Sequence, residues 1–338
     1  MTPRERAALY KRLKSVVGGT PLRKLEQLSP DPRSSIYMKL EYLNPTGSHY
    51  DRIMLELLRS KEKSGDIEVG DALLDTTTGN SGASLAWLSR ALGFKCHVLI
   101  PEDAPRARID QIESYGGAVD YSEPGQYTKG LIETYREESP AWWEMDHHVV
   151  LNHAGGGGIA AAATAMGKLG EEIIRQFQEI HRSQMPTHLI VGLGNGASVH
   201  IAKPLLSSKC IGFEPIEAPL NFIEMHGKEE LESRYGTPPP ESLKHGLWGT
   251  GAWSDGGFPW PIMRHGWDLL DDIVLVEKEQ WSVLGPRLAD QEGLHVGRSS
   301  AAGVAVAQQI VEVSQEPVQV ICIAYDAAWK YLGDKQNG

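Results

Sequence analysis

Short apolar runs alternate with segments of helical periodicity along almost the whole chain. The apolar runs are about four to eight residues long and have the composition of buried strands. They lie at residues 35–40, 72–75, 96–101, 118–122, 148–152, 188–192, 210–214, 272–277 and 318–325. Helices are predicted at residues 81–92, 106–115, 127–138, 160–182, 278–291 and 300–313. This alternation predicts an α/β fold with parallel sheets that are covered by helices on both faces.

The string "NPTGSHYDR" at residues 44–52 predicts a turn that is followed directly by a helix. Its first four residues are turn formers, and Ser48 with Asp51 has the spacing of a capping box. Apolar residues then follow at a helical period. His49 and Tyr50 are therefore expected in the first turn of the helix, where side chains are well placed for chemistry.

Two glycine-rich turns follow predicted strands. Residues 192–196, in "LIVGLGNGASV", have the pattern of a phosphate cradle, because glycines let backbone N–H groups approach an anion closely. Glu214 follows about twenty residues later, so a dinucleotide site is an alternative. "TTTGNSG" at 76–82 offers hydroxyl, amide and backbone donors that suit a small carboxylate, or that serve only as a helix cap. Ser299 and Ser300 open a later helix, and alone they predict N-capping.

Two irregular regions interrupt the alternation. Residues 235–267 are long for a connection inside a domain, which favours a functional loop. Trp248, Trp253 and Trp260 in this region suggest a bulky or apolar substrate group, or packing of the loop itself. The stretch "AGGGGIAAAATAMG" at 154–167 is predicted to be a hinge between two lobes.

Length, charge and cysteine use narrow the class of protein. A chain of 338 residues with 41% hydrophobic and 23% charged residues is typical of a globular protein of about two domains. The formal net charge of -11 argues against nucleic acid or an anionic membrane as the main partner. With no signal peptide or long apolar span recognisable, we expect a cytoplasmic protein. Cys96, Cys210 and Cys322 lack ligand spacing, so no metal is expected, and Cys96 and Cys322 are predicted core residues.

Seven motifs occur in an order and at spacings that resemble the cysteine synthase/cystathionine β-synthase family, whose members are pyridoxal-phosphate (PLP) enzymes of fold type II. The resemblance covers nearly the whole chain, from about residue 15 to residue 325. The motifs are "GGTPLRKL" at 18–25, "MKLEYLNPTGS" at 38–48, "TTTGNSG" at 76–82, "GLGNG" at 192–196, "GFEP" at 212–215, "GTGA" at 249–252 and "EGLHVGRSSAA" at 292–302.

The resemblance implies a tryptophan synthase β-like fold with two lobes, each built on a mostly parallel sheet, and PLP in the cleft between them. It implies a small mobile substrate-binding domain at 44–155 and a large cofactor-binding domain that combines 1–43 with 156–338. It also implies a homodimer and a small amino-acid substrate.

Residue roles are implied by the same resemblance. Backbone amides of the "GLGNG" turn would hold the cofactor phosphate, although Leu193 and Gly196 replace hydroxyl-bearing residues of the family. Asn80 would bind the ring hydroxyl, and Ser299 would meet the pyridine nitrogen. The cofactor-binding residues would be Asn80, Gly192, Leu193, Gly194, Asn195, Gly196, Gly249 and Ser299. The substrate α-carboxylate would be bound by Thr77, Thr78, Asn80 and Ser81.

Tyr50 is the one large departure from the family pattern. It occupies the position of the lysine that forms the Schiff base with PLP, and a phenol cannot form an imine. Three interpretations stay open: a natural variant that binds PLP non-covalently with Tyr50 or His49 as proton carrier, an active enzyme altered to trap an intermediate, or a binding or regulatory module. Lys39, in the strand that leads into the motif, is expected to be structural.

The function that the resemblance implies is that of an amino-acid lyase or transferase. It would carry out β-elimination or β-replacement on a serine- or cysteine-like substrate through an external aldimine, loss of the α-proton and an aminoacrylate. The alternative is a catalytically impaired homologue that binds PLP or its amino-acid aldimine non-covalently. A third, weaker interpretation is a nucleotide-binding dehydrogenase that uses residues 192–196 and Glu214.

Overall fold

A computed structural model describes residues 2–122, 148–151, 156–243, 245–251 and 261–334. The helices are α1 (Pro3–Val16), α2 (Tyr50–Ser64), α3 (Asn80–Leu92), α4 (Arg106–Ser114), α5 (Ile159–His181), α6 (Leu220–His226), α7 (Lys228–Tyr235), α8 (Pro261–Gly266), α9 (Lys278–Ser282), α10 (Leu284–Glu292) and α11 (Arg298–Val313). The strands are β1 (Leu22–Lys24), β2 (Ser35–Lys39), β3 (Ala72–Thr76), β4 (Lys95–Pro101), β5 (Ala118–Ser122), β6 (His148–Val150), β7 (His188–Gly192), β8 (Lys209–Pro215), β9 (Asp272–Val276) and β10 (Gln319–Ile323).

The strands of the described residues form two sheets. The larger has the order β1-β2-β10-β7-β8-β9, and the smaller has the order β5-β4-β3-β6. All neighbouring strands are parallel except the pair β1 and β2, at one edge of the larger sheet. The predicted α/β architecture with parallel sheets is therefore confirmed.

The end of the chain returns to its beginning within the larger sheet. Strand β10 lies between β2 and β7, with Cys322 opposite Met38 and Ile321 opposite Leu189. The carboxyl ends of β7 and β10 therefore lie side by side, as ligand-binding edges of parallel sheets do. The division into domains at 44–155 stays a prediction, although the strands of the smaller sheet all lie within that range.

Most predicted elements appear within two residues of their expected ends. Strand β1 was not predicted, because three residues are too few to show a period. The predicted helix at 278–291 is two helices, α9 and α10, joined at Val283. The predicted helix at 127–138 lies outside the described residues. The predicted hinge is partly wrong, since residues 159–167 are the first turns of α5.

Helix α5 carries an apolar face that brings it close to the glycine-rich turn. Buried side chains such as Ala165, Leu169 and Ile173 recur every three or four residues along it. A Cβ atom at Gly170 would lie 2.3 Å from the Ile201 carbonyl oxygen, so this glycine lets α5 contact the short 3₁₀ helix at Ala197–Ala202. That contact fixes the segment that follows the turn.

The cysteines are core residues, as expected for Cys96 and Cys322. All three are free and buried, and burial raises the pKa of each thiol. Among the described residues, no helix has both the length and the apolar character that a membrane crossing requires.

Candidate active site

Tyr50 is the first residue of α2, but the predicted capping box does not form. His49 is the N-cap residue, and its side chain makes no capping hydrogen bond. The Asp51 carboxylate instead accepts hydrogen bonds from Thr46 N at 2.8 Å and from Thr46 Oγ1 at 2.6 Å. Ser48 Oγ accepts from Tyr50 N at 3.2 Å, one position earlier than a capping box requires. The turn is therefore fastened from both sides and holds Tyr50 in a fixed position.

The Tyr50 phenol extends to the glycine-rich turn after β7. Asn195 Nδ2 donates to the Tyr50 hydroxyl at 3.4 Å, and the side-chain oxygen of Asn195 accepts from Ala197 N at 3.0 Å. Burial raises the pKa of Tyr50 to about 12. The hydroxyl is therefore protonated at neutral pH and can donate a hydrogen bond or a proton.

His49 lies between Tyr50 and the chain after β10. Its ring centroid is 4.5 Å from that of Tyr50 and 5.1 Å from that of Tyr325. His49 Nδ1 is 3.4 Å from the Tyr325 carbonyl oxygen, which can only accept, so the proton is assigned to Nδ1 and Nε2 carries the lone pair. Burial lowers the pKa of His49, so the imidazole is neutral at pH 7.

Three of the five backbone N–H groups in the glycine-rich turn are available to bind a phosphate, whereas all five were predicted to do so. Gly192 N donates to the Tyr325 hydroxyl at 2.8 Å, and Leu193 N donates to the Phe213 carbonyl at 2.9 Å. In the part of the chain that the structure describes, the N–H groups of residues 194–196 have no hydrogen-bond partner. Leu193 also lies outside the cavity lining, in the core. The prediction that Leu193 binds phosphate is therefore wrong, since its amide belongs to the sheet.

In the turn after β3, some polar side chains form hydrogen bonds within the turn itself and others line the cavity. Thr77 Oγ1 accepts from Gly79 N and Gly82 N, both at 2.9 Å, and lies 2.7 Å from Ser81 Oγ. Neither Thr77 nor Ser81 lines the cavity, whereas Thr78 does. The prediction that Thr77 and Ser81 bind the substrate carboxylate is corrected accordingly, because the Thr77 hydroxyl is committed to shaping the turn.

Asn80 lines the cavity and is held by a buried ion pair. Its Nδ2 donates to Asp326 Oδ2 at 2.7 Å, and Arg108 Nη2 donates to the same oxygen at 3.1 Å. Arg108 also donates to the Thr78 carbonyl at 2.9 Å. Gly79, with φ at +126°, makes room for this arginine, since a Cβ there would lie 2.4 Å from Arg108 Cδ.

Ser299 faces the cavity from the first turn of α11. The N-cap of this helix is Gly297, so the predicted N-capping by Ser299 or Ser300 is wrong. Thr250 Oγ1 donates to Ser299 Oγ at 2.8 Å, which leaves the Ser299 proton available to a neutral acceptor. Gly249, beside Thr250, also lines the cavity.

The remaining candidates lie elsewhere. Lys39 Nζ donates to the Thr20 carbonyl, to Glu172 Oε1 at 2.8 Å and to Gln176 Oε1 at 2.9 Å, so it is structural, as expected. The Glu214 carboxyl accepts from Phe222 N at 2.7 Å and from Asn221 Nδ2 at 2.9 Å. Glu214 therefore fixes the start of α6, and the dehydrogenase interpretation loses its ribose-binding acid.

Most of the predicted site residues meet at one cavity. Those that line it are His49, Tyr50, Thr78, Asn80, Gly192, Gly194, Asn195, Gly196, Gly249 and Ser299. Trp248 and Thr250, from the loop that the sequence pointed to, also line it, whereas sequence reasoning missed four other described residues, which are Ala197, Ser198, Tyr325 and Asp326. Tyr325 and Asp326 lie two and three residues after the end of β10, and a polar residue shortly after a buried strand is a signal that could have found them. Trp253 and Trp260 lie outside the described residues.

The donor set suits the parts of PLP other than its aldehyde. Free N–H groups in the turn suit a phosphate, and the Ser299 hydroxyl suits a neutral pyridine nitrogen. The cavity volume is about 40 Å³, whereas ligand sites usually exceed about 300 Å³, so its walls must separate to admit the cofactor. None of the described lysines lines the cavity, so no amine faces the place where the aldehyde would lie.

Comparisons with known proteins show the family to which the chain belongs. The model of the family described as "Pyridoxal-phosphate dependent enzyme" matches residues 13–324. Cysteine synthase of Staphylococcus aureus (strain Mu50) is 26% identical over 319 residues, with 94% of each chain covered. Cysteine synthase B of Salmonella typhimurium (strain LT2) is 26% identical over 320 residues, with 95% of this chain and 94% of the relative covered.

Solved structures agree in fold. O-ureido-L-serine synthase matches with a TM-score of 0.76 at 22% identity, over 94% of this chain and 92% of that chain. A hydrogen sulfide-producing enzyme from Fusobacterium nucleatum matches with a TM-score of 0.76 at 24% identity, over 95% and 99% of the two chains. The chain therefore belongs to the family of pyridoxal-phosphate dependent enzymes, within the fold type II class that includes the cysteine synthases.

Proposed function

We propose that the protein is a PLP-dependent amino-acid lyase or transferase that acts at the β-carbon of a serine- or cysteine-like substrate. The observation that carries the proposal is that the turn after β7, Asn80 and Ser299 meet Thr78 and Tyr50 at one cavity. PLP, when bound, supplies an electron sink for negative charge at the substrate α-carbon. The similarity to cysteine synthases supports β-replacement or β-elimination over other amino-acid chemistry.

Residues on the cavity wall would hold the cofactor and the substrate. The N–H groups of residues 194–196 would bind the phosphate, and Ser299 would donate to the pyridine nitrogen. A neutral hydroxyl at that nitrogen leaves the ring largely unprotonated, which favours chemistry at the β-carbon over transamination. Thr78, whose side chain faces the cavity, would donate to the α-carboxylate.

Proton transfer would fall to Tyr50 and His49 in place of the family lysine. The unprotonated Nε2 of the neutral His49 can accept the α-proton. The protonated phenol of Tyr50 can donate a proton to the leaving group, and its raised pKa makes it a poor base at neutral pH. The Asn195 hydrogen bond would keep the phenol aimed at the cavity.

A direct test combines cofactor binding with turnover. Purified protein is mixed with PLP and with β-substituted alanines, and release of the β-substituent and of pyruvate is followed. Binding of PLP together with release supports the proposal. If the protein binds no PLP, or binds a nicotinamide cofactor instead, the proposal is contradicted.

A second candidate function is favoured by Tyr50. Because no described lysine lines the cavity, the chain could serve as a module that binds PLP or an amino acid without turnover. Binding of PLP and of an amino acid with no release of the β-substituent supports this candidate. A homodimer, a cytoplasmic location and a mobile small domain at 44–155 remain predictions of the family resemblance, and size-exclusion chromatography tests the first of them.

A further inference from the structure

Asp326 lies at the wall of the cavity and accepts hydrogen bonds from three side chains. Asn80 Nδ2 and Arg108 Nη2 donate to its Oδ2 at 2.7 and 3.1 Å. The Tyr331 hydroxyl donates to Oδ1 at 3.3 Å and to Oδ2 at 3.2 Å. Asp326 is 2% exposed and Arg108 is 0% exposed, so the guanidinium supplies the charge that a carboxylate at this depth requires.

This network decides which way the Asn80 amide faces. A carboxylate accepts hydrogen bonds and cannot donate them, so Nδ2 must face Asp326 and Oδ1 must face away from it. Among the residues that the structure describes, Asn80 Oδ1 is buried without a hydrogen-bond partner. A buried acceptor of this kind costs free energy until a ligand brings it a donor.

We propose that Asp326 is a positioning residue that fixes the Asn80 amide so that the cavity presents a hydrogen-bond acceptor. The site therefore selects a cofactor whose ring hydroxyl is protonated. The inference rests on the proposed function, since it requires PLP in this cavity with its hydroxyl at Asn80. A hydroxylate there would place a negative charge against the lone pairs of Asn80 Oδ1, which is unfavourable.

The charged groups near the cavity do not oppose the preference for a protonated ring hydroxyl. No described lysine or arginine lines the cavity, so no cation faces a hydroxylate at Asn80. Lys330 and Asp51 lie outside the cavity lining, where Lys330 Nζ donates to Gln111 Oε1 at 2.6 Å and the Asp51 carboxylate accepts from Ser84 Oγ at 2.5 Å. From the start of α2, the neutral His49, whose pKa burial lowers, and the protonated Tyr50, whose pKa burial raises, line the same cavity.

The test is a pH titration of the absorption spectrum of the full chain reconstituted with PLP. The hydroxyl and hydroxylate forms absorb at different wavelengths, so the midpoint reports the pKa of the bound hydroxyl. In Asp326→Asn an amide replaces the carboxylate, and an amide can donate as well as accept. Asn80 can then turn Nδ2 towards the cavity, and we expect the midpoint to fall by about one pH unit, a tenfold loss of proton affinity.

Two further variants keep the test decisive. Asn80→Ala removes the acceptor and leaves the pair of Asp326 and Arg108 intact, so it should lower the midpoint even if Asp326→Asn does not fold. Tyr331→Phe is the matched control, because it removes a donor to Asp326 without touching the Asn80 contact, and its midpoint should equal that of the unaltered protein. Equal midpoints in the unaltered protein and Asn80→Ala overturn the inference. Failure of the unaltered protein to bind PLP overturns the proposed function itself, and the inference with it.

Discussion

At the scale of single residues, two adjacent threonines with the same chemistry have opposite tasks. Thr77 Oγ1 accepts two backbone hydrogen bonds and faces inwards, whereas Thr78 lines the cavity. The family resemblance implied that both bind the substrate carboxylate, and both lie between a strand and a helix. Only the backbone path of the turn, set by Gly79 at φ +126°, separates them.

Replacement of Thr78 tests this division. Thr78→Ala should weaken amino-acid binding roughly ten- to a hundred-fold, because it removes a hydrogen bond to a charged group worth about 1.5–3 kcal/mol. The affinity is measured by spectral titration of the PLP-loaded protein with an amino acid. Thr77→Ser, which keeps the structural hydroxyl, is the matched control and should bind like the unaltered protein. Unchanged affinity in Thr78→Ala would place the substrate elsewhere.

Glu214 is expected to make the stability of the fold depend on pH. Burial raises the pKa of Glu214 to about 8 from an ordinary 4.5, so between these values the folded chain holds a proton that the unfolded chain releases. The free energy of unfolding therefore falls as the pH rises from about 4.5 to about 8, by about 1.4 kcal/mol per unit. Below about pH 4.5 the carboxyl group is protonated in both the folded and the unfolded chain, so its contribution to the free energy of unfolding has its full value and no longer changes with pH.

Glu214→Gln should remove that slope. A glutamine cannot ionise, and its amide can donate to Asn221 Oδ1, which has no hydrogen-bond partner in the described chain. Urea unfolding at pH 5.5 and pH 7.5 should show the variant gaining stability relative to the unaltered protein as the pH rises. Parallel pH profiles for the two proteins would show that Glu214 is ionised in the folded state.

At the scale of elements, the glycine-rich turn after β7 is shaped by a second turn that packs on it. A Cβ at Gly194 would lie 2.2 Å from the Gly249 carbonyl oxygen, so the two backbones touch where the phosphate is expected. The sequence pattern predicted the turn, and the family resemblance assigned Leu193 to the cofactor, because neither reveals that Phe213 in β8 accepts the hydrogen bond of the Leu193 N–H group.

Gly194→Ala should therefore abolish PLP retention. The added methyl group meets backbone rather than a flexible side chain, so the turns must separate, at a cost of about 1–3 kcal/mol in the free energy of unfolding. Gly167→Ala is the control, since no atom lies within 4 Å of a Cβ there and the residue is inside α5. The control should keep PLP and gain about 0.5–1 kcal/mol. Equal PLP retention after dialysis in both variants would contradict the cradle.

At the scale of the whole molecule, the alternation of apolar runs and helical periods predicted parallel sheets, because strand and helix periods differ and parallel strands are buried on both faces. The meeting of Asn80, Arg108 and Asp326 could not be predicted. These residues lie far apart in the sequence, and each alone fits an ordinary cap, helix or loop residue. Their contact depends on how the turn after β3 lies against the chain after β10, and periodicity carries no information on that.

We expect this chain to hold PLP without a covalent bond, because the family resemblance predicts a lysine at the position that Tyr50 occupies. Borohydride reduction of the PLP-loaded protein, followed by mass spectrometry of the intact chain and peptide mapping, tests it most directly. We predict no added mass on the unaltered chain, and a pyridoxyl group on the new lysine in Tyr50→Lys, since the fastened turn already aims this position at the cavity. A pyridoxyl-lysine in the unaltered chain, at Lys39 or at any other position, would contradict the claim.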